Sequence, residues 1–270
     1  METSPKIDQK LIAAWRSDGV VVLRNVLSDD WLDDLRAGVD ATMADPSAVS
    51  KDYVKDGHGR FFTDHFMYRR FDVFRRFLFE SPAAAIAAQL MGAKKINLID
   101  EHLLVKEPGT QTPTYWHHDF PYFEVDGEDF CSLWFPLDPV VEATGAMKFV
   151  KGSHRWGKLF HPIRIGDGDL VDQAEALDGP APDIDADPDK YDIELFEVEP
   201  GDAVAFHGKA LHAATANRST DMRRRALSLR FGGDDIRWNP RPYIPSVPDR
   251  PNLAAGGPID SEQYPRVWTA

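Results

Sequence analysis

A chain of 270 residues in which 43% of the side chains are apolar and 11% are aromatic can bury a sizeable core, so a wholly disordered protein is excluded. The net charge is −13, and a chain without an extended basic face is not expected to bind nucleic acid. The single cysteine, Cys131, excludes an intramolecular disulfide and favours a reducing compartment. The first residues lack the apolar segment of a signal peptide, and the longest apolar stretch, 83–93, is too short to span a bilayer. We therefore expect a cytoplasmic protein without membrane contact.

The first 94 residues are predicted to be mainly helical. Apolar residues recur at helical spacing in four segments, which begin near residues 7, 28, 71 and 82. Ser28 is suited to cap the second helix, and Pro82 is suited to open the fourth. Between the first two helices, the apolar run 20–23 predicts a short buried strand.

From residue 95 onward the pattern changes to the alternation of β-strands. Strands separated by turns rich in Gly, Pro and Asp are predicted at 96–105, 114–119, 130–137, 146–150, 193–198, 202–207, 210–216 and 225–232. Eight short strands after a helical segment indicate a mostly β fold with flanking α-helices, in which a double-sheet jelly roll forms the core.

We expect one domain over residues 1–270, with the helical segment 1–94, the jelly-roll core 95–232 and a proline-rich C-terminal coil 233–270 packed over it. Residues 166–190 contain nine acidic residues against one lysine, are rich in Gly and Pro, and show no apolar period. This segment is predicted to be a solvated insertion loop within the core.

The run Tyr115-Trp-His-His-Asp119 carries the pattern that bears most on function. On a strand, His117 and Asp119 are two residues apart and leave from the same face, whereas His118 points the other way. With a distant histidine they would complete a facial set of two histidines and one carboxylate, which leaves metal positions open for a co-substrate and dioxygen. An isolated His-x-Asp is more often a hydrogen-bonded polar pair, so the distant histidine, His207 or His212, decides between the two interpretations.

Several motifs, taken in order, resemble the phytanoyl-CoA dioxygenase family of iron- and 2-oxoglutarate-dependent oxygenases. They are Trp116-His-His-Asp119, Trp134-Phe-Pro-Leu-Asp138, Thr144-Gly-Ala146, Gly152-Ser-His154, Gly201-Asp-Ala-Val-Ala-Phe-His207, Leu211-His212 and Asn217-x-Ser219. The resemblance covers roughly residues 15–232 and implies a double-stranded β-helix, or cupin-like, core with one Fe(II) and 2-oxoglutarate as co-substrate. It also implies that His212 is the distal ligand beside His117 and Asp119. Trp134 matches a family position near the co-substrate, although core packing is the alternative for this ring.

2-Oxoglutarate needs a cation for its distal carboxylate, and a guanidinium forms bidentate hydrogen bonds that lysine cannot form. The resemblance places this arginine on the last strand, where Arg223 and Arg224 compete. The family's spacing between the distal histidine and the arginine, counted from His212, favours Arg223. Aligning the sequence Arg-x-Ala-Leu-Ser with the family instead favours Arg224, and we prefer Arg224. Strand alternation then turns Arg224, Ser228 and Arg230 towards one face.

The chain departs from the family at one position near the co-substrate. The family often has a hydroxyl two residues after the distal histidine, where this chain has Ala214. One hydrogen bond to the co-substrate is therefore expected to be missing, or to come from Thr215 or Ser228.

Residues that would contact the primary substrate are less clearly marked. Tyr122 and Phe123 follow the His-x-Asp and are expected at the mouth of the site. Phe66 belongs to an aromatic-rich segment, 57–68, which is predicted to form a lid, and Arg230 is expected nearer the substrate than Arg224. Core packing is the alternative for each of these aromatic rings.

Together these features predict an Fe(II)- and 2-oxoglutarate-dependent dioxygenase that uses O2 and hydroxylates a small organic molecule, with release of succinate and CO2. Desaturation or cyclisation could occur at the same kind of centre. Two other classes stay open. A non-oxidative cupin-like metalloenzyme, such as an isomerase, would not need the arginine, and a metal-free jelly-roll binding module would use the histidines structurally.

Overall fold

The computed structural model of the protein describes residues 5–54, 58–171, 177–244 and 251–270. In these ranges the α-helices are α1 (Gln9–Asp18), α2 (Asp29–Ala44), α3 (Asp72–Glu80) and α4 (Ala83–Met91). The strands are β1 (Val20–Leu23), β2 (Lys51–Tyr53), β3 (Phe61–His65), β4 (Lys95–Lys106), β5 (Thr114–His117), β6 (Val125–Asp126), β7 (Phe130–Pro136), β8 (Met147–Val150), β9 (Ile193–Phe196), β10 (Ala203–His207), β11 (His212–Ala214), β12 (Arg224–Gly232), β13 (Arg237–Trp238) and β14 (Arg266–Thr269).

Local sequence signals account for the ends of the first two helices. Asp8 caps α1 by accepting a hydrogen bond from the backbone N–H of Lys10, and the helix ends at Gly19, whose φ of 80° suits glycine. Ser28 caps α2 as predicted, and its hydroxyl accepts a hydrogen bond from the N–H of Trp31. The apolar faces of both helices are thereby fixed relative to the strand β1 that joins them.

Two antiparallel sheets form the core. The larger has the order β1-β10-β7-β12-β4-β3-β2, with β14 added on β4, and the smaller has the order β5-β11-β8-β9. β13 and β6 form a separate two-stranded ribbon. The mostly β jelly roll with flanking helices that the sequence predicted is therefore confirmed.

The two faces of the large sheet bury different partners because side chains alternate along each strand. On β12, Leu227 and Leu229 face a core that includes buried residues of all four helices. Ala226, from the opposite face, packs with Trp134 of β7 and Phe149 of β8 in a second core between the sheets. The inward-facing polar residues of β12 also lie in this space between the sheets, which is the interior of the jelly roll.

Two sequence expectations about the edges of the core need correction. The segment 61–65, expected to belong to a lid, is β3, which pairs with β4, and β2 pairs with β3 in turn. Residue 57 of that lid lies outside the described residues. The coil expected at 233–270 contains β13 and β14, and its residues 245–250 lie outside the described residues. The polar run Thr63-Asp-His65 in β3, and prolines near β14, concealed these strands.

The acidic segment 166–190 lacks β-strand structure in its described part, and residues 172–176 lie outside it. Most of its described side chains are exposed or half-buried. Ile184 is an exception, because it is fully buried against Trp116 and Phe160. The expected solvated loop is therefore attached to the small sheet by the buried side chain of Ile184, and an ion pair between Asp185 and Lys148 of β8 adds a second contact.

Helix α3 offers a matched test of how far the helical layer stabilises the sheet. Phe77 is fully buried with its ring 5.4 Å from those of Trp31 and Phe135, whereas Phe79 on the same helix is 40% exposed. Phe77→Ala should lower the free energy of unfolding by about 3–5 kcal/mol, because it leaves a cavity against the sheet. Phe79→Ala should lower it by about 1 kcal/mol or less. Denaturant unfolding of both variants measures the difference, and equal losses would contradict this account of the layer.

Candidate metal centre

Strand pairing brings the two predicted histidine ligands together. His117 near the end of β5 lies opposite His212 at the start of β11, and the ring centroids are 4.2 Å apart. The Nε2 atoms of both rings lie 3.9 Å from the same oxygen, Oδ1 of Asp119. All three side chains thus offer one ligand atom each within 4.8 Å of one another.

The backbone fixes which nitrogen of each histidine is available. Nδ1 of His117 lies 2.8 Å from the carbonyl oxygen of Tyr115, and Nδ1 of His212 lies 3.0 Å from that of Ala210. A carbonyl oxygen can only accept, so each Nδ1 must donate its hydrogen, and each Nε2 keeps its lone pair. Burial lowers the pKa of His212 to about 3 and also lowers the pKa of His117, which keeps both rings neutral, as metal ligation requires.

Asp119 reaches the site from a turn rather than from a strand. β5 ends at His117, and Asp119 has helical backbone angles (φ −71°, ψ −41°) at the start of a short 3-10 turn, so the predicted strand 114–119 is two residues too long. His118 points away as expected, with Nδ1 2.7 Å from the carbonyl oxygen of Lys209. The carboxylate and the first histidine therefore meet because the chain turns, and not because they alternate along one strand.

The surroundings of Asp119 hold it as an anion. Burial would raise the pKa of this carboxyl, but the Arg230 guanidinium, together with the neighbouring rings of His212 and His117, holds the pKa well below its usual range. Arg230 donates one hydrogen bond from Nε to Oδ2 and one from Nη2 to Oδ1, and each has a length of 3.0 Å. The hydroxyl of Ser132 donates to Oδ2 over 2.7 Å. Sequence reasoning missed Ser132, which carries no motif signal, and predicted a substrate contact for Arg230 instead.

The donor set fits a divalent transition metal. Two neutral imidazole nitrogens and one carboxylate oxygen are the ligands of a facial site. All three side chains line a cavity system in the interior of the jelly roll, so one side of the donor set faces open space. The part adjoining His117 and Asp119, here called the outer cavity, has a volume of about 230 Å³.

A smaller recess of about 50 Å³, here called the inner pocket, lies beside His212 and contains the predicted arginine. Arg224 is buried, its guanidinium lies 5.5 Å from the centre of the Trp134 ring, and Nη1 donates to the carbonyl oxygen of Leu104 over 3.4 Å. Burial lowers its pKa to about 10, which leaves it charged at neutral pH. Arg223 instead lies at the surface, where it forms ion pairs with Glu107 and Asp40.

Three residues that line the inner pocket have a buried polar atom without a hydrogen-bond partner among the described residues. The third is His102 of β4, with its Nε2, whereas Nε of Arg224 and Oγ of Ser228 form a pair on the inward face of β12. A buried charge without a partner is costly, so this pair fits a ligand that brings a carboxylate. Ala214 lines the same pocket, and the hydroxyl of Thr215 donates to the carbonyl oxygen of Glu142 instead. Of the two hydroxyls considered from sequence, Ser228 alone lines the pocket.

The predicted substrate residues divide into two groups. Tyr122, Phe123 and Arg230 line the outer cavity. The hydroxyl of Tyr122 donates to the carbonyl oxygen of Ile163 over 2.6 Å and accepts from its N–H over 2.8 Å, which attaches the segment around Ile163 to the rim. Phe66 packs instead against the helical core, outside the walls of the outer cavity and of the inner pocket.

The outer cavity contains a second polar cluster, which was not predicted from the sequence. It consists of His65 on β3 with Asp100 and His102 on β4, and its ligand atoms also lie within 4.8 Å of one another. The signal was present, because Asp100 and His102 are two residues apart, and so face the same side of a strand that is mostly apolar and buried. Asp100 joins this cluster to the metal centre by accepting a hydrogen bond from Nη1 of Arg230 over 2.9 Å.

Comparison with known proteins agrees with this geometry. Relatives include a probable phytanoyl-CoA dioxygenase of Caenorhabditis elegans, 29% identical over 56% of this chain and 48% of its own length. Phytanoyl-CoA dioxygenase 1 of Oryza sativa subsp. japonica is 26% identical over 69% of this chain and 63% of its own length. The chain thus spans between about half and two thirds of these curated relatives.

Similar solved structures share the fold along almost the whole chain. The 2-oxoglutarate-dependent epimerase SnoN from nogalamycin biosynthesis has a TM-score of 0.75 at 22% identity, covering 96% of this chain and 98% of its own. EctD from S. alaskensis, solved with 2-oxoglutarate and 5-hydroxyectoine, has a TM-score of 0.68 at 21% identity, covering 94% of this chain and 86% of its own.

Two further findings bear on classification. No helix among the described residues is long and apolar enough to cross a lipid bilayer. The family model for phytanoyl-CoA dioxygenase (PhyH) matches residues 15–226, which include the donor set and the inner arginine. The chain belongs to the phytanoyl-CoA dioxygenase (PhyH) family.

Proposed function

We propose that this protein is an Fe(II)- and 2-oxoglutarate-dependent dioxygenase that hydroxylates a small organic molecule and releases succinate and CO2. The observation that carries the proposal is that a facial donor set and a buried arginine, whose Nε has no hydrogen-bond partner among the described residues, line adjoining cavities. A carboxylate co-substrate that also binds the metal would satisfy both features at once.

In this proposal each part of the site has a separate task. His117, Asp119 and His212 hold the iron, and Arg224 with Ser228 binds the distal carboxylate of 2-oxoglutarate over the face of Trp134. Bound iron and 2-oxoglutarate would supply the activation of dioxygen. Arg230 and Ser132 orient the carboxylate ligand, and Tyr122 and Phe123 present an aromatic wall to the primary substrate.

Hydroxylation is the outcome that we propose, because the donor set includes the carboxylate of Asp119 and no residue singled out in the sequence points to another reaction. SnoN and SnoK, two similar structures, are described as an epimerase and a carbocyclase, so the fold accommodates other outcomes in those proteins. Turnover under isotopically labelled O2 distinguishes them. Hydroxylation places one labelled oxygen atom in the product and one in succinate, whereas epimerisation or cyclisation leaves the product unlabelled.

The co-substrate itself separates this proposal from the two other classes. Anaerobic addition of Fe(II) and then 2-oxoglutarate should produce a visible charge-transfer band that neither component produces alone. A non-oxidative metalloenzyme would bind iron without this band, and a metal-free binding module would bind neither. Absence of the band at saturating concentrations would refute the proposed function.

Removal of one metal ligand tests the donor set. His212→Ala should weaken Fe(II) binding by more than about 100-fold, because it removes one of three protein ligands. His207→Ala is the matched control, since His207 is a buried histidine that packs against Trp15 and His154 rather than facing the cavity. Metal analysis after equilibrium dialysis measures both variants, and iron loss from His207→Ala with iron retained by His212→Ala would contradict the assignment.

Arg224, the first residue of β12, and Arg223, which precedes the strand, provide a similar pair for the co-substrate. Arg224→Ala should raise the KM for 2-oxoglutarate at least about 30-fold without changing iron affinity, because a charge-assisted contact in a buried site is lost. Arg223→Ala should leave this KM unchanged, since its partners are surface carboxylates. Succinate formation at varied 2-oxoglutarate gives both values, and the opposite ranking would move the anchor to Arg223.

A further inference from the structure

The outer cavity has a polar wall made of two stacked imidazoles. His65 of β3 lies directly opposite His102 of β4 in the sheet register, and their rings are 4.0 Å apart with only 15° between their planes. Both line the outer cavity and also an adjoining open groove of about 920 Å³ that shares several residues with it, and His102 lines the inner pocket as well. The histidine pair therefore lies where the groove adjoins the outer cavity.

Asp100 fixes the orientation of this pair. Its Oδ1 lies 3.0 Å from Nδ1 of His65, and its Oδ2 accepts the hydrogen bond from Arg230. Nδ1 of His65 must donate to the carboxylate, so Nε2 remains as the second hydrogen-bonding atom of that ring. The carboxylate thus sets the tautomer of His65 and also prevents the ring from rotating.

His102 provides the observation that points to a ligand. It is 5% exposed, and its Nε2 has no hydrogen-bond partner among the described residues. Burial lowers the pKa of His102 well below its ordinary value, so the ring is neutral and can both donate and accept. A buried polar atom without a partner is destabilising, and a polar atom of a bound molecule would offset that cost.

A second metal ion is a poorer explanation for this cluster. The lone pairs of parallel imidazoles run side by side in the ring planes and do not converge on one point. Asp100 is also already engaged by Arg230 on one oxygen and by His65 on the other. The cluster is therefore better suited to hydrogen bonding than to coordination.

The two arginines of the outer cavity are both paired with carboxylates. Arg230 lies between Asp119 and Asp100, and Arg164 forms ion pairs with Asp167 and Asp169 at the surface. Among the described residues that line the cavity, no arginine or lysine other than these two is present. Aromatic and aliphatic side chains complete the lining, namely Tyr115, Tyr122, Phe123, Ile163 and Ile165.

We propose that the stacked pair His65–His102 hydrogen-bonds a hydroxyl or carbonyl oxygen of an uncharged, ring-containing primary substrate. The apolar body of that substrate packs on Tyr122, Phe123 and Ile165, and its polar edge faces the imidazoles. This inference rests on the proposed function, because the substrate must bind beside a loaded iron centre. It disfavours carboxylates, phosphates and acyl-CoA thioesters as the part of the substrate that enters the outer cavity.

Matched probes can test this assignment on the full-length protein loaded anaerobically with Fe(II) and 2-oxoglutarate. The probes are 1-tetralol, its deoxy analogue tetralin, the anion 1-naphthoate and hexanoyl-CoA, and each is titrated while the visible charge-transfer band is followed. The wild-type protein should bind 1-tetralol about tenfold more tightly than tetralin, as expected for one added buried hydrogen bond. The two anionic probes should bind no more tightly than tetralin.

Two variants locate the hydrogen bond. His102→Phe keeps a ring in the stack and removes both nitrogens, and His65→Asn keeps a donor for Asp100 and removes Nε2. Each should reduce the tenfold preference for 1-tetralol to less than about threefold. His58→Phe is the control, because His58 is an exposed histidine outside the cavity walls, and it should retain the full preference.

The possible results separate failure of this inference from failure of the proposed function. If Fe(II) and 2-oxoglutarate give no band in the wild-type protein, the proposed function fails, and the inference fails with it before any probe is added. If the band forms but 1-tetralol does not bind, binds no better than tetralin, or binds less well than 1-naphthoate, the inference alone is overturned. It is also overturned if both histidine variants keep the preference for 1-tetralol. If His102→Phe fails to fold, the result for His65→Asn alone decides.

Discussion

The buried ion pair between Arg230 and two aspartates is the interaction on which the rest of the site depends. Asp119 and Asp100 are both almost fully buried, and neither carboxylate could stay charged there without a cation. Arg230 supplies that cation through three hydrogen bonds of about 3 Å. Because its guanidinium is planar, the same contacts that neutralise the two aspartates also fix their relative orientation.

This ion pair connects three separate parts of the chain. Arg230 comes from β12, Asp100 from β4, and Asp119 from the turn after β5. The carboxylate that we propose as a metal ligand is therefore held to the large sheet, although its two histidine partners belong to the small sheet. A lysine at position 230 would neutralise charge, but its single ammonium could not reproduce the bidentate contact with Asp119.

Alternation along β12 and the spacing of the histidines allowed much of the site to be predicted from sequence. The inward direction of Arg224 follows from the period of a strand, since Leu227 and Leu229 must face the helical core. Asp119 was assigned correctly to the cluster for a reason that proved wrong, because a turn and not a strand carries it there. Turn geometry depends on contacts such as the hydrogen bond from Phe120 N–H to Gly208, which no local pattern reveals.

The cluster around His65 shows a second limit of sequence reasoning. His65 and His102 are 37 positions apart, and only the pairing of β3 with β4 makes them neighbours. β3 itself was missed because Thr63, Asp64 and His65 are consecutive polar residues, which removes the alternation typical of a half-buried strand; of these three, His65 lines the outer cavity. Binding residues of this kind weaken the pattern by which the element that carries them would be recognised.

The backbone carbonyls that orient the two proposed histidine ligands have a consequence for how such a site can change over evolutionary time. Tyr115 and Ala210 use main-chain oxygens, and these oxygens exist whatever side chain stands at either position. The orientation of the imidazoles is therefore insulated from mutation at those two positions, unlike in metal sites where carboxylate side chains do this work. Residues around the cavity can then change to accept other substrates while the Nε2 atoms of the two histidines keep their orientation.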